Sequence, residues 1–348
     1  MNRALILIIT ATLLCVAVNM PTVAQERFRI MEYNVENLFD TIPNPSCDDS
    51  EFSPQGARKW NAQRYWAKQG RLARVIAAAG GDSPVEIIGL IEVENDTVLS
   101  HLTRRTSLAR LGYDYIITDG PDVRGIDVAL LYQPGRFRPL TTISLPVPTC
   151  EGQRPTRDVL FVEGLLPSLD TLSIFVVHFP SRRGGVRETA AHRCQAAQVI
   201  RHKVDSIQQK RSDALIVVMG DMNDESEDAS IKDVLKVIPA VEGKCTETAL
   251  YDLPPRCEEH AEITGTYYYQ HEWSMIDHII VSGAVVHTHS PLQLTAPSSR
   301  ILAFPFLLKH NQKEFPGRYI PNRNYAGNFY NGGFSDHLPM LVEFLLEF

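Results

Sequence analysis

The sequence predicts an α/β fold of four layers, in which two mixed β-sheets pack face to face and helices cover their outer sides. Three observations carry this expectation. Short β-rich apolar runs recur along most of the chain, two stretches near residues 64–79 and 187–208 have helical periodicity, and polar residues keep appearing where apolar runs stop. Wholly apolar runs suit strands covered on both faces and alternating runs suit strands covered on one, so the mixture calls for two sheets with outer helices.

In chain order, Arg3 precedes an apolar run from Ala4 to Val18 and the small-residue pattern Thr22-Val23-Ala24, which reads as a secretory signal peptide cleaved after Ala24. The run is shorter than the roughly 20 residues that span a bilayer and ends near Pro21, which argues against an anchor. Leu13 and Leu14 before Cys15 argue against a lipoprotein. The expectation is export to the periplasm or beyond, with residues 25–348 forming one domain, because no Pro/Ser-rich linker divides them.

Phe28 to Tyr33 reads as a strand that ends at Asn34. Arg64 to Ala79 reads as a helix, with Leu72, Val75, Ile76 and Ala79 on one face and Gly80-Gly81 closing it. Val85 to Val93 is a buried central strand except for Glu92 near its end, and Asn95 or Asp96 can cap a helix reaching Leu111. Strands follow at Tyr113–Thr118, Ile126–Tyr132, Val159–Leu165 and Leu172–Val177, the last running into His178. A second helix over Arg187–Gln208 buries a stripe of Ala190, Cys194, Ala197, Val204 and Ile207. Ala214–Met219 stops at Gly220-Asp221-Met222-Asn223. Thr266–Tyr269 follows, then Met275–Val281 with Asp277 inside it, and Pro339–Phe344 begins after Ser335-Asp336-His337.

Composition narrows the function classes. With 44% hydrophobic and 22% charged residues the chain is globular rather than disordered, and no segment after the leader is apolar enough to span a membrane. A net charge of −7 argues against a sequence-independent electrostatic grip on nucleic acid, although metal ions can supply positive charge locally. Past the leader there are five cysteines, Cys47, Cys150, Cys194, Cys245 and Cys257. Cys245 and Cys257 bracket a short Pro-containing loop and are the expected disulfide, and no spacing suggests zinc.

Asn34, Glu92, Asp221, Asn223, Asp277 and Asp336 all fall at strand ends or in apolar surroundings, joined by His178 and His337. Carboxylates in such places are costly unless they bind something, and an oxygen-rich donor set suits magnesium or manganese. An imidazole beside a scissile phosphate can stabilise charge or move a proton when a carboxylate orients it. Asp277 with His337 is the candidate pair, and Asp336 a candidate ligand. Each residue alone also reads as an ordinary cap or turn; it is their order that points to a site.

That order resembles the endonuclease/exonuclease/phosphatase superfamily. The matching stretches are NVENL (34–38), IEVEN (91–95), RGIDVALLY (124–132), VVHFPSRRGG (176–185), GDMND (220–224), MIDHIIVS (275–282) and GGFSDHLP (332–339). The resemblance implies a DNase-like α/β sandwich and hydrolysis of phosphate esters with Mg2+ or Mn2+. It implies that Asn34, Glu92 and Asp336 serve the metal. Asp221 would activate water, Asn223 would position water and phosphate, and His337 held by Asp277 would act on the phosphoryl group together with His178.

Arg124, and the Arg182-Arg183 pair that follows His178, are candidate substrate contacts; Arg124 reads equally as a surface ion pair, and Arg182 and Arg183 equally as a solvated turn. Tyr319, Arg323, Tyr325, Phe329 and Tyr330 lie in a long loop before SDH and either stack on substrate or pin the loop to the body. The expected partner is a phosphate ester, nucleic acid included, with no membrane insertion and no obligate protein partner. A phosphatase or a lipid phosphodiesterase is the runner-up. A non-catalytic binding protein is disfavoured because every expected site residue is present.

Overall fold

A computed structural model describes residues 25–149, 151–239, 245–286, 290–296, 298–311 and 318–348. The expected leader and Cys150 lie outside the described residues. The chain opens with β1 (Gln25–Leu38), α1 (Ala62–Gly80), β2 (Ile87–Val93), α2 (Asp96–Arg104), β3 (Asp114–Ile117) and β4 (Asp127–Tyr132). It continues with β5 (Arg138–Leu145), β6 (Val159–Leu165), β7 (Thr171–His178), α3 (Val186–Gln208) and β8 (Leu215–Asp221). Short strands β9 (Val237–Pro239), β10 (Leu250–Asp252) and β11 (Pro255–Arg256) precede a hairpin of β12 (Tyr267–Tyr269) and β13 (Glu272–Ser274). Then come β14 (Asp277–Ser282), β15 (Leu292–Leu294) and β16 (Ser299–Ile301). Two small hairpins, β17 (Leu308–Asn311) with β18 (Arg318–Pro321) and β19 (Tyr325–Ala326) with β20 (Phe329–Tyr330), lead to the last strand, β21 (Met340–Glu347).

Two mixed sheets result. One runs β11-β16-β21-β1-β2-β4-β3 with β15 also on β21, and the other runs β5-β6-β7-β8-β14-β10-β9. The period-2 alternation of strand side chains fixes which residues meet. From β1, Phe28 and Ile30 enter the core between the sheets, where they meet Ile174, Val217, Met219 and Ile279. The alternate residues Met31 and Tyr33 face outward onto Leu72, Val75 and Ile76 of α1. On the far side, Phe175, Val177 and Val218 pack beneath Ala197, Ile200 and Val204 of α3. The predicted order of helix, sheet, sheet and helix is therefore realised. The sheets approach so closely at Gly89 that an added methyl would lie 3.1 Å from the Met219 Cε atom.

The first helix starts at Asn61, whose side chain accepts a hydrogen bond from the Arg64 amide, a cap contributing about 1 kcal/mol. Asn95 caps α2 in the same way. That helix ends sooner than expected. The Thr106 hydroxyl donates to the Leu102 carbonyl and then caps a separate 3-10 turn over Ser107–Arg110. The largest omission in the sequence reading is the edge strand β5, whose exposed alternation lacks the apolar density that marks the others.

The Cys245–Cys257 bridge is not formed, since Cys257 is a free thiol. The two side chains sit on different cores, Cys245 against the layer between the sheets and Cys257 against the outer layer of the first sheet. Chain spacing had suggested a closeness that the intervening sheet prevents. Among the described residues no helix is long and apolar enough to cross a membrane.

Candidate active site

The site forms where one end of the inter-sheet core turns polar. In the second sheet His178 is paired with Asp221 across β7 and β8, and Asp221 with Asp277 across β8 and β14. Three candidate side chains thus stand side by side on adjacent strands, at the spacing of about 4.8 Å that sheet geometry imposes. Each continues the inward-facing register of its strand, after Val176, Met219 and before Ile279 respectively. The Gly220 of the GDMN stretch makes this alignment possible. It has φ of 141°, and a Cβ there would lie 2.0 Å from the Val177 carbonyl oxygen. Backbone cannot yield as a flexible side chain can, so Gly220→Ala is expected to destabilise the fold by roughly 3 kcal/mol or more. A chemical-denaturation midpoint close to that of the unsubstituted protein would refute this.

The first sheet contributes the opposite wall. Asn34 donates through Nδ2 to Asp221 Oδ2 at 3.0 Å, and its own Oδ1 accepts the Glu36 amide at 3.0 Å. Beyond Asn34 the strand becomes irregular, with Glu36 and Asn37 at φ of 54° and 55°. Glu92 lies at a second irregularity, φ 66°, where the pairing of β2 with β4 skips from Ile91 to Val93. Glu92 is the extra residue of a bulge, so its carboxylate is turned out of the strand's alternation. It accepts the Asn37 amide at 2.9 Å and lies 3.9 Å from His178 Nε2. Asn223, also in a left-handed conformation, donates its amide to Asp221 Oδ1 at 2.9 Å and its side chain to the Phe179 carbonyl at 3.1 Å.

Asp221 is the hub. Its Oδ2 is 3.7 Å from His178 Nε2 and 3.8 Å from His337 Nε2. Burial, then the neighbouring Asp277, pushes its pKa up to about 7. His337 donates from Nδ1 to Asp277 Oδ2 at 2.7 Å, and Thr266 donates its hydroxyl to the same oxygen. Burial alone would discharge His337, but Asp277 and Asp221 outweigh it and hold the imidazole well above its usual range. His178 is the reverse case. Burial, reinforced by Arg157 and Arg124, keeps it well below the usual range and hence neutral. One imidazolium and one neutral imidazole therefore flank a single carboxylate.

Asp336 is turned toward Arg323, which donates to it at 2.7 Å. Burial raises the Asp336 pKa, but His337 and Arg323 together bring it below the ordinary value. Of the two cationic candidates after His178, Arg182 is structural, donating to the Asn223 carbonyl at 2.6 Å and to Asp228 at 2.7 Å, whereas Arg183 is exposed. Arg124 is 3.7 Å from Asp122 and also lines a cavity beside the site. The loop aromatics mainly pin the loop. Tyr325 is buried against Phe52 and Trp60, and Tyr330 lies under the guanidinium of Arg64 at 4.3 Å, while Phe329 is exposed.

Sequence reasoning missed Glu32, Thr266, Tyr267 and Arg157. Glu32 is wholly buried, and burial followed by Asp277 holds its carboxyl well above the usual range. Its signal was available, because Glu32 is two residues before Asn34 and so shares its face of the strand. Tyr267 rests its ring 4.7 Å from that of His337 and forms a backbone bridge with it. Arg157 ion-pairs with Asp122 at 3.1 Å and donates to the Phe179 carbonyl at 2.7 Å.

The elevated carboxyl pKa values carry a consequence for stability without divalent cations. An acid with a folded pKa of about 7 against an ordinary 3.8 is charged more readily when unfolded, so Asp221 weakens the fold as pH climbs from about 4 to about 7. Glu36, pushed up to about 7, acts in the same direction. In chelator, the denaturation midpoint should fall between pH 5 and pH 8, and less steeply in Asp221→Asn. A midpoint that rises over this range would contradict the assignment.

As to metal, Asp221, Asp277 and His337 present ligand atoms all within 4.8 Å of one another. Asp277 Oδ1 is buried with no hydrogen-bond partner. His337 has committed Nδ1 to Asp277 and favours its charged form, which makes it a poor ligand. What remains, with Glu92 alongside, is a carboxylate oxygen set that fits a hard divalent cation.

A search of curated proteins finds no significant match. Solved structures are similar in fold. An endonuclease/exonuclease/phosphatase family protein from Bacteroides thetaiotaomicron is 15% identical, with 93% of this chain and 97% of that chain covered at a TM-score of 0.55. TDP2 of D. rerio, humanized by 14 mutations, is 15% identical over 91% of this chain and 98% of that chain, TM-score 0.55. The human Nocturnin catalytic domain with bound sulfate is 16% identical over 91% of this chain and 94% of that chain, TM-score 0.50. The sequence profile of the Endonuclease/Exonuclease/phosphatase family matches residues 29–345, from the strand that delivers Glu32 and Asn34 to the strand after His337. The chain therefore belongs to that family of phosphoesterase hydrolases.

Proposed function

We propose that residues 25–348 form one exported catalytic domain that hydrolyses phosphodiesters in nucleic acid with the help of Mg2+ or Mn2+. The observation that carries this is the row His178, Asp221 and Asp277 on three adjacent strand ends, completed by His337 and faced by Asn34 and Glu92. Export rests on the leader pattern at the start of the sequence.

Water must attack phosphorus in line with the bond that breaks, and something must accept its proton. Asp221, with a pKa of about 7, is a base matched to neutral pH, and the Asn34 and Asn223 hydrogen bonds fix its two oxygens. His337, charged and held by Asp277, compensates negative charge on the phosphoryl oxygens. His178, neutral and beside Asp221, provides a hydrogen bond without a second full charge. A divalent cation held by oxygens around Glu92, with Asp221 left free as the base, would neutralise the substrate phosphate and lower the pKa of bound water. Placing Asp336 in that set requires it to leave Arg323.

The direct test incubates the mature protein with Mg2+ or Mn2+ and a panel of plasmid DNA, RNA, sphingomyelin and simple phosphate monoesters. Cleavage confined to nucleic acid supports the proposal. Cleavage confined to sphingomyelin or to monoesters replaces it with a lipid phosphodiesterase or a phosphatase.

A further inference from the structure

Beside the row of catalytic side chains, on the His178 flank, lies a cavity of about 610 Å³. Four guanidinium groups line it, from Arg124, Arg154, Arg157 and Arg183, against the single carboxylate of Asp122. In a chain whose net charge is −7, that local excess of positive charge is out of keeping with the average surface. Arg154 and Arg183 are exposed and have no ion-pair partner among the described residues. Two lining groups carry orphaned polar atoms. His192 is 95% buried with Nε2 unpartnered, and the Thr156 hydroxyl is likewise buried without a partner. Buried polar atoms without partners are rare unless a ligand or water completes them.

The cavity is joined to the catalytic row by one atom. The Phe179 carbonyl oxygen accepts from Arg157 at 2.7 Å on the cavity side and from Asn223 at 3.1 Å on the catalytic side. The opposite flank has different chemistry. There Tyr267 lies against His337, and Tyr269, itself 57% exposed, stacks on Tyr267 at 6.2 Å. Strand order fixes the succession His178, Asp221, Asp277; the Phe179 carbonyl ties the arginine cavity to the first end and the Tyr267 contact with His337 ties the tyrosines to the other, so a substrate crossing the site meets guanidinium groups, then the catalytic row, then tyrosine rings.

We infer that the arginine cavity is a subsite for a second, non-scissile phosphate, and that the preferred substrate is a nucleic-acid strand whose neighbouring phosphate enters this cavity while a base stacks on Tyr267 and Tyr269. This rests on the phosphodiesterase reading for its chemistry but not for its binding. Phosphate contacts of this kind position a strand without reading its sequence, and tyrosine faces accept any base. An isolated phosphate ester would leave both flanks unfilled.

The test compares the double variant Arg154→Gln/Arg183→Gln, both exposed positions, with the unsubstituted protein. With Mg2+, kcat/KM should fall at least tenfold further for a thymidine trinucleotide than for bis(p-nitrophenyl) phosphate, which carries one phosphate. In chelator, binding of labelled oligo(dT) should weaken and the slope of log K against log salt should shrink by about 0.7, the value for one lost phosphate contact on a single strand. Equal losses on both substrates, or none, overturn the subsite. A selective loss on a nucleoside triphosphate but not on the trinucleotide assigns the cavity to small polyphosphates and overturns the strand. If the unsubstituted protein hydrolyses nothing yet the variant loses oligo(dT) affinity, the subsite stands and the phosphodiesterase reading fails.

Discussion

Asp221→Asn is expected to lower kcat by roughly 10³- to 10⁴-fold while leaving the protein folded. The substitution keeps the size of the side chain and the possibility of a contact with Asn34, but removes the group proposed to take a proton from water. Loss of activity in a buried position often reflects collapse of the structure, and here the electrostatics separate the two causes. Burial and Asp277 already oppose the Asp221 charge, so the neutral amide relieves a burden. At pH 8 without divalent cations the variant should unfold at a denaturant concentration no lower than the unsubstituted protein. A variant retaining more than a tenth of the activity would remove Asp221 from the role of base. One that is inactive and also much less stable would show that its role is structural.

Removal of divalent cations should have a comparable effect. Activity in EDTA is expected to drop by roughly 10³-fold or more, since a bound cation contributes several kcal/mol to phosphoryl transfer, and to return on adding excess Mg2+ or Mn2+. A readout independent of turnover exists in the same experiment. A cation at about 100 times its Kd stabilises the fold by about 2.7 kcal/mol, which for a domain of this length is a rise of about 4 °C in Tm. Glu92→Gln should blunt that rise. Its carboxylate accepts the Asn37 amide, an interaction that the Gln side-chain oxygen can keep. Turnover that is indifferent to EDTA, or a Tm unmoved by either cation, would exclude a resident metal.

Much of this was legible in the sequence because the polar residues of the site interrupt strongly patterned strands. Asp221 and His178 end runs that are otherwise apolar, and the register of those runs is dictated by burial, so the three strand ends had little freedom but to align. Ordinary helix chemistry placed α1 and α3 within two residues of their expected limits. What escaped detection depended on the third dimension. Arg157 follows no apolar run and is defined only by its contacts with Asp122 and the Phe179 carbonyl. The engagement of Asp336 by Arg323 involves a neighbour 13 residues away that looked like a loop residue. The false disulfide had the same origin, since nearness in sequence says nothing about which side of a sheet a side chain takes. Glu32 is the exception, an oversight where the pattern alone sufficed.

The bulge at Glu92 separates scaffold from chemistry. Ile91 faces the layer between the sheets and Val93 faces the helices, which is the alternation that two consecutive strand residues would show if nothing stood between them. Excising Glu92 would leave the flanking hydrophobic residues facing as they do now and the strand more regular than before. Under the role proposed for Glu92, a folded but silent relative is thus a single-codon deletion away, and the acid is an insertion into an architecture that does not itself require it.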